Sequence, residues 1–394
     1  MNYILFSDNA RNQMLPFTFT RPLADIRLGI FTIRQRWEMY LGSKTSTLTQ
    51  DYLSRRFPLV KGIDNTLINA SILPDTKLIA AIQALLPNQT LVQNELLIAY
   101  RVGENDMEGD HVGSDGFENI EPVEYAETLS RVSHLMDIVN LINNSINHDY
   151  ALITKGRTSM PIPEHVRVIA PENVFVEEGA KLEMAMINAS EGPVYLGKKS
   201  HVMDGAILRG PLVLCDNSTI KLGAKIYGNT VIGPYCKVGG EVSDSLFFGY
   251  SNKGHDGFLG HSVIGEWCNI GADTNTSNLK NNYSAVRLWS YVDNGFTNTR
   301  QTFCGTFMGD YAKCGINTMF NTGTVVGVGA QVFGAGYMKN YIPSFTFGGP
   351  SGYSIVDIEK VLATERLTHA RRGLELSAEE EEILRSLYHQ DQNG

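Results

Sequence analysis

The densest run of reactive side chains is Ser251-Asn252-Lys253-Gly254-His255-Asp256-Gly257-Phe258-Leu259-Gly260-His261. An imidazole changes charge near neutral pH, so His255 is a candidate general base. Lys253, two residues earlier, could bind a phosphate or stabilise an oxyanion. The flanking glycines permit turns that other residues resist. His261 has no comparable company and reads as a surface residue. A Ser-His-Asp triad is not expected, because no strained nucleophile elbow is present.

A second constellation follows a short apolar segment, Tyr3-Ile4-Leu5-Phe6, which reads as a buried strand opening into a polar loop. Arg11, Arg21, Arg27, Arg34 and Arg36 fall within 26 residues there. Guanidinium pairs bidentately with phosphate oxygens, so this spacing suits polyphosphate recognition, and equally well a set of solvated arginines. A third runs from Val102 to Ser130, with no Lys or Arg and with Glu104, Asp106, Glu108, Asp110, Asp115, Glu118, Glu121, Glu124 and Glu127. It reads as a solvated acidic loop, with a hidden magnesium ligand as the sharper alternative.

The scaffold for the first constellation announces itself by its period. Leu196, Val202, Leu208, Leu214, Ile220, Ile226, Ile232 and Val238 are all aliphatic at intervals of six. Six fits neither a helix nor a lone strand. It fits a chain wound around a triangular prism, with one inward side chain per hexapeptide. Val168, Val174, Ala180 and Met186 read as a first, imperfect pair of coils. After a slip of two, the beat resumes at Leu246, Phe258, Ile264 and Ile270, with Asn252 missing it. It returns at Met308, Cys314, Phe320, Val326 and Val332. Thr274 to Thr302 interrupts the repeat, and such projections often build sites.

Upstream, Ile33 to Leu41 reads as an amphipathic helix. Strand-like segments at Thr66–Ile72 and Leu96–Tyr100 flank a helix over Lys77–Leu86, the βαβ signature of a nucleotide-binding sheet. Glu124 to Ile142 reads as a further helix. Pro161, Pro163 and Pro171 mark a crossing between domains. Downstream, Ile355–Arg372 and Ser377–Tyr388 read as helices, the second opened by a Ser377/Glu380 capping box, and they would cap the last coil. The expected fold is an α/β, Rossmann-like N-terminal domain (1–160), then a parallel β-helix (161–345), then a C-terminal helical cap (346–394).

Composition narrows the function. The chain has 394 residues, 43% hydrophobic and 19% charged, which predicts two soluble domains. A formal charge of −9 argues against nucleic acid or an anionic membrane as partner. No apolar run approaches the ~18 residues of a membrane helix, and the N-terminus does not read as a signal peptide, so a cytoplasmic protein is expected. All five cysteines lie in the repeat region without a CxxC pair, and buried reduced thiols are expected.

The stretch from Asn252 to Asn278, NKGHDGFLGHSVIGEWCNIGADTNTSN, resembles the acetyltransferase domain of the bifunctional GlmU proteins. The match is Gly-His, then an aromatic with Leu-Gly, then Asn-Ile-Gly-Ala, then Asn. That family acetylates glucosamine 1-phosphate with acetyl-CoA and then transfers a uridylyl group from UTP. Its second half is a left-handed β-helix that assembles as a trimer with shared sites. The resemblance implies His255 as the base that deprotonates the sugar amine, with Asn269 and Asn278 positioning sugar and acetyl group. It implies Ala272, Thr306 and Thr324 along the acetyl-CoA groove. Phe258 stands where the family has a substrate-touching tyrosine, and Leu279 replaces another. The paired lysines for the sugar phosphate are missing at Ser243-Asp244-Ser245, so Lys225 or Lys253 would substitute.

The N-terminal pattern FSDNARNQMLPFTFTRPLADIRLGIFTIRQRW resembles a divergent, GlmU-like branch of sugar nucleotidyltransferases fused to the same β-helix, over essentially the full length. The usual glycine-rich phosphate loop is replaced by Ser7-Asp8-Asn9-Ala10-Arg11, and Arg21-Pro22 stands for Pro-Lys. The resemblance implies Arg11 and Arg21 on the UTP phosphates, and Asp8 near Mg²⁺. The resulting expectation is a bifunctional sugar-nucleotide enzyme. Its rivals are a single-activity nucleotidyltransferase with an oligomerising β-helix, and a non-catalytic sugar-nucleotide sensor.

Overall fold

The eight aliphatic residues spaced by six from Leu196 to Val238 all point into a prism, none more than 2% exposed. Burying each contributes roughly 1.5–3 kcal/mol. The computed structural model describes residues 1–103 and 121–393; the carboxylates from Glu104 to Glu118 lie outside them. The chain separates into two compact units. Met1–Met14, Thr20–Ile26 and Phe31–His134 form the first, and Leu15–Phe19, Arg27–Ile30 and Leu135–Gly394 the second. Among the described residues no helix is long and apolar enough to cross a membrane.

The second unit is a left-handed parallel β-helix followed by helices. Its first face stacks short strands from Arg167–Ile169 to Phe258–Gly260. The second runs from Val174–Val176 to Tyr341–Ile342, and the third from Lys181–Leu182 to Thr346–Gly349. Strands of the second face, such as Leu212–Leu214, are buried on both sides. Their outer side is covered within the unit: the Phe17 ring lies 4.9 Å from Phe248, and the Arg27 Nε donates to the Phe248 carbonyl at 3.0 Å. The first face alternates in Ile207–Arg209, with Leu208 alone buried.

Register corrects the expected beat in three places. Ile187, not Met186, points inward in the early coils, and Leu182 rather than Ala180 fills the third face. Phe247 and Leu259, not Leu246 and Phe258, continue the columns of Ile232 and Val242. The slot beside Val238 is taken by Lys253, one residue after Asn252. Two turns shorter than six residues, Val238 to Val242 and Val242 to Phe247, produce this offset. All five cysteines are buried and unbridged, and burial pushes the Cys215 thiol up to about 11 and Cys236 and Cys304 to about 12. Such thiols are inert.

Within the interruption, Arg287–Ser290 and Gly295–Asn298 form an antiparallel hairpin, and Trp289 stacks on Tyr341 at 4.0 Å. The two C-terminal helices, Ile358–Ala370 and Ala378–Asn393, form as expected, with the Ser377/Glu380 box in place. The first does not simply cap the end. It lies along one corner, where His369 stacks on Trp267 at 3.6 Å and Arg372 donates to the carbonyls of Tyr235 and Tyr250. The end of the third face is instead covered by Gly352–Ile355, antiparallel to Thr346–Gly349.

The first unit holds a six-stranded sheet: β1 (Asn2–Phe6), β2 (Thr45–Thr47), β3 (Asp64–Asn69), β4 (Gln89–Gln93), β5 (Leu96–Gly103) and β6 (Glu121–Glu124), in the order β2-β1-β3-β5-β4-β6. The helix Ile33–Leu41 has the expected bounds, opened by a Thr32/Gln35 capping box and closed by Gly42 at φ 64°. Trp37 anchors it by donating to the Ile72 carbonyl at 3.0 Å. The expected βαβ unit is built with a different second strand: after the helix Thr76–Gln83 the chain enters β4, which is parallel to β3 because both run antiparallel to the intervening β5. β5 runs antiparallel to β3, because β4 intervenes and turns back through Asn94 and Glu95, both at positive φ. An Asn-Glu turn lacks the glycine that signals such hairpins. The hydrogen-bonded parallel pairs are β1 with β2, β1 with β3 and β4 with β6. The helix expected from Glu124 starts only at Leu135; residues up to Glu124 form the edge strand β6, parallel to β4.

Candidate functional site

In the first unit, the chain leaves β1 for β2 on one side and returns to β3 on the other. Their carboxyl ends therefore form the switch point where open α/β sheets take ligands. Asp8 follows β1, and Asn69 and Ser71 lie at and beyond the end of β3. The Asp8 Oδ1 accepts from the Ala10 N–H at 2.9 Å. Its Oδ2 accepts from Asn69 Nδ2 at 2.9 Å, Ser71 Oγ at 3.5 Å and Arg131 Nη2 at 2.5 Å. Arg131 also donates from Nε to Ser71 Oγ at 3.0 Å. It arrives on an extended return strand: Ile72 bridges Arg131, and Val132 N–H donates to the Ser71 carbonyl. Its side chain is 33% exposed, at the mouth of the cluster.

The expected arginines are placed differently. Arg11 donates to Asn12 Oδ1 at 3.0 Å and to the Tyr52 hydroxyl at 2.8 Å, while Arg21 and Arg36 are buried. Arg34 is paired with Asp25, and Arg27 serves the second unit. Both Asp8 oxygens accept from protein donors, and the side chain remains 24% exposed beside Arg131. Among the described residues no group of three His, Cys, Asp or Glu could hold a metal. Arg131 gave no signal in the sequence, because it lies 123 residues from Asp8.

In the second unit, His255 sits exposed at the corner between the strands Asn252–Lys253 and Phe258–Gly260. The corner stacks between Gly239-Gly240 and Ala272-Asp273, and the Asp273 N–H donates to the Asp256 carbonyl at 3.0 Å. Gly240, at φ 72°, and Gly257, at φ 117°, have no room for a side chain. A Cβ on Gly240 would lie 2.8 Å from the His255 carbonyl oxygen, and one on Gly257 2.2 Å from that of Thr274.

Of the residues expected around His255, Ala272 shares its corner one coil on, and Phe258 opens the next face, its N–H bonded to Asn275 Oδ1 at 2.9 Å. Lys225 is on the same face two coils away, with its ammonium 3.8 Å from Glu241. Asn269 is exposed on the neighbouring face, above Asn252. Lys253 is not an outward phosphate ligand: it is 2% exposed and turned inward. Thr306 and Thr324 are buried at the start of the second face, paired in adjacent coils.

Asn278 lies at the far end of the face, its amide 3.0 Å from Nδ1 of His261. His261 is therefore no simple surface residue. Its ring stacks on Phe303 at 5.0 Å, and burial moves its basicity downward against the pull of Asp244. Its partners lie 17 and 42 positions along the chain, beyond the reach of local inspection.

Residues 3–158 match the family model described as sugar nucleotidyl transferase. Similar solved structures include the polySia-specific acetyltransferase NeuO, at 14% identity over 49% of this chain and 79% of that one, with a TM-score of 0.25. They include the N-acyltransferase AntD from Bacillus cereus, crystallised with dTDP-4-amino-4,6-dideoxyglucose and coenzyme A, at 15% identity, 51% and 89% coverage, and TM-score 0.23. LpxA from Bacteroides fragilis, a UDP-N-acetylglucosamine acyltransferase, has 14% identity, 57% and 95% coverage, and TM-score 0.23. Likeness of this order says nothing of this chain's activity. A stretch of 76 residues is 36% identical to the homoaconitase large subunit of Thermus thermophilus; the match spans 18% of this chain and 18% of that protein.

Proposed function

We propose that the chain is a bifunctional sugar-nucleotide enzyme. The β-helix acetylates glucosamine 1-phosphate, or a similar amino-sugar phosphate, with acetyl-CoA. The N-terminal unit transfers a uridylyl group from UTP to the N-acetylated sugar 1-phosphate. The observation that carries this reading is the pairing of a sugar nucleotidyl transferase segment with a β-helix that holds one imidazole, His255, outward on a glycine corner.

In the acyl step, His255 takes a proton from the attacking amine as its nitrogen bonds to the thioester carbon, the carbon–sulfur bond breaks, and the imidazolium returns that proton to the leaving thiolate to release CoA thiol. A deprotonated amine needs no covalent enzyme intermediate. Asn269, Phe258, Lys225 and Ala272 lie on the two faces that meet at this corner, within two coils of it, and are proposed to position sugar and acetyl-CoA, the phosphate falling to Lys225. The oxyanion falls to backbone or amide donors. A homotrimer is proposed, with the site completed by a neighbouring copy. Its support is an exposed apolar strip on the same corner and first face, Met184 (67% exposed), Met186 (46%), Ile207 (46%) and Leu222 (61%).

In the uridylyl step, Arg131 at the sheet switch point is the cation proposed to meet the nucleotide phosphates, beside Asn69 and Ser71. A hydrogen bond to a charged group is worth about 1.5–3 kcal/mol, so Arg131→Gln is expected to slow pyrophosphate release by about 10–10²-fold. Thiol release by the same protein should be unchanged, which separates loss of the site from loss of the fold. Equal rates before and after the substitution would remove Arg131 from the nucleotide site.

The overall test is two assays on one preparation. Glucosamine 1-phosphate with acetyl-CoA should release free thiol, and UTP with N-acetylglucosamine 1-phosphate should release pyrophosphate. Thiol without pyrophosphate would leave a single-activity acyltransferase, and neither product with any amino-sugar or hexose phosphate would end the proposal.

A further inference from the structure

An ammonium group occupies a slot in an otherwise apolar column. On the third face Lys253 continues the inward positions of Ile220 and Val238, and Ile270 and Cys314 follow it. It is 2% exposed. Burying a charge is among the costliest things a core position can do, and a valine or isoleucine would complete the column without that penalty. The side chain runs inside the prism to the corner, where Nζ donates to the carbonyl oxygens of Gly239, at 3.1 Å, and His255, at 2.9 Å. Those carbonyls belong to successive coils of the same corner.

The rest of the turn around His255 is held by main-chain bonds to the coils on either side, from the Gly239 N–H to the Lys253 carbonyl, the Glu241 N–H to the Gly257 carbonyl and the Asp273 N–H to the Asp256 carbonyl. Gly254 has nothing within 4 Å of where a Cβ would stand, and Gly240 and Gly257 are bare backbone at close approach. His255 and Asp256 are both exposed. We propose that Lys253 is the positioning residue of the acyl-transfer site, fixing from inside the prism the peptide that aims the His255 imidazole outward. This rests on the reading of His255 as the base. Burial pushes the Lys253 ammonium down to about 8, against the opposing influence of Asp256, Cys314 and Asp273, the titratable groups that face it from its own turn and the next coils. The amine therefore gives up its charge more readily than an exposed lysine, one peptide away from the imidazole.

The test follows the imidazole itself in the full-length protein, labelled at histidine Cε1, with His255→Gln assigning the signal. The wild-type His255 resonance is expected to carry an inflection near pH 8 that Lys253→Met removes. Lys253→Met is also expected to lower kcat for thiol release by about 10–10²-fold, the effect of a misplaced catalytic group, with KM for acetyl-CoA within about twofold. A merely structural lysine would change stability and leave the inflection and the kcat-to-KM split untouched. No inflection near pH 8 in the wild-type signal, or a folded Lys253→Met protein with full kcat, overturns the assignment. Should that variant fail to fold, the wild-type titration decides alone. Thiol release that survives His255→Gln would end the base reading and leave the signal test standing, so the two failures are distinguishable.

Discussion

His255→Gln is expected to slow thiol release from acetyl-CoA by about 10²–10⁴-fold, the usual contribution of a positioned general base. Glutamine keeps the hydrogen-bonding capacity of the side chain and removes its ability to accept a proton. The imidazole is exposed, and the turn that carries it is held by main-chain bonds and by the Lys253 ammonium. Melting temperature and pyrophosphate release should therefore be unchanged, since a surface substitution of this kind shifts stability by only about ±0.5 kcal/mol. Measuring both products on the same variant makes the result specific. A fall in both would point to a general defect, and a fall in neither would leave His255 as an ordinary turn residue.

The second large effect is on stability and reads the register of the coils. Phe247 is fully buried in the column of Ile232, Ile264 and Met308. Phe247→Ala is expected to cost about 3–5 kcal/mol, the sum of lost transfer energy and the cavity left in a stack that cannot collapse sideways. Phe258, which the six-residue beat had pointed inward, lies on the outer side of its strand. Its truncation should cost no more than about 1.5 kcal/mol, because no closed cavity results. Urea midpoints of the two variants check this. Equal losses would return the inward position to Phe258 and shift every side chain of that strand to the other face.

The contrast between those two phenylalanines says what the sequence could reveal. From Leu196 to Val238 each coil carries one inward aliphatic residue per hexapeptide among polar neighbours, so the period is legible by inspection. Past Val238 two shortened turns arrive just where Leu246, Phe247 and Phe248 are all apolar, because the outer side of that face is covered too. No alternation remains to fix the register. Lys253 could not be found by a search for aliphatic residues, although the gap at Asn252 was its trace. The turn holding His255 was legible from its glycines, which the close approaches at Gly240 and Gly257 require.

What stayed hidden was long-range. Asp8 was visible as a polar residue after the first strand, but its partner Arg131 came from a segment expected to be helical. The extended return past Ser71 depends on backbone pairing between strands far apart in sequence, which no local period encodes. By type and spacing the arginines after β1 suited phosphate recognition and a solvated surface equally well. The fold uses Arg34 for Asp25 and Arg27 for the Phe248 carbonyl instead. Residue type set the possible chemistry in each case, and tertiary partners decided which was used.

The corner bearing His255 is proposed to receive an acyl thioester. A crystal structure of the full-length protein with coenzyme A tests it most directly. The account predicts the thiol sulfur at that corner, beside His255, with space for an amine nitrogen within about 2.6–3.2 Å of the imidazole or one water away. Coenzyme A bound on another face, with His255 left in open solvent, would contradict it.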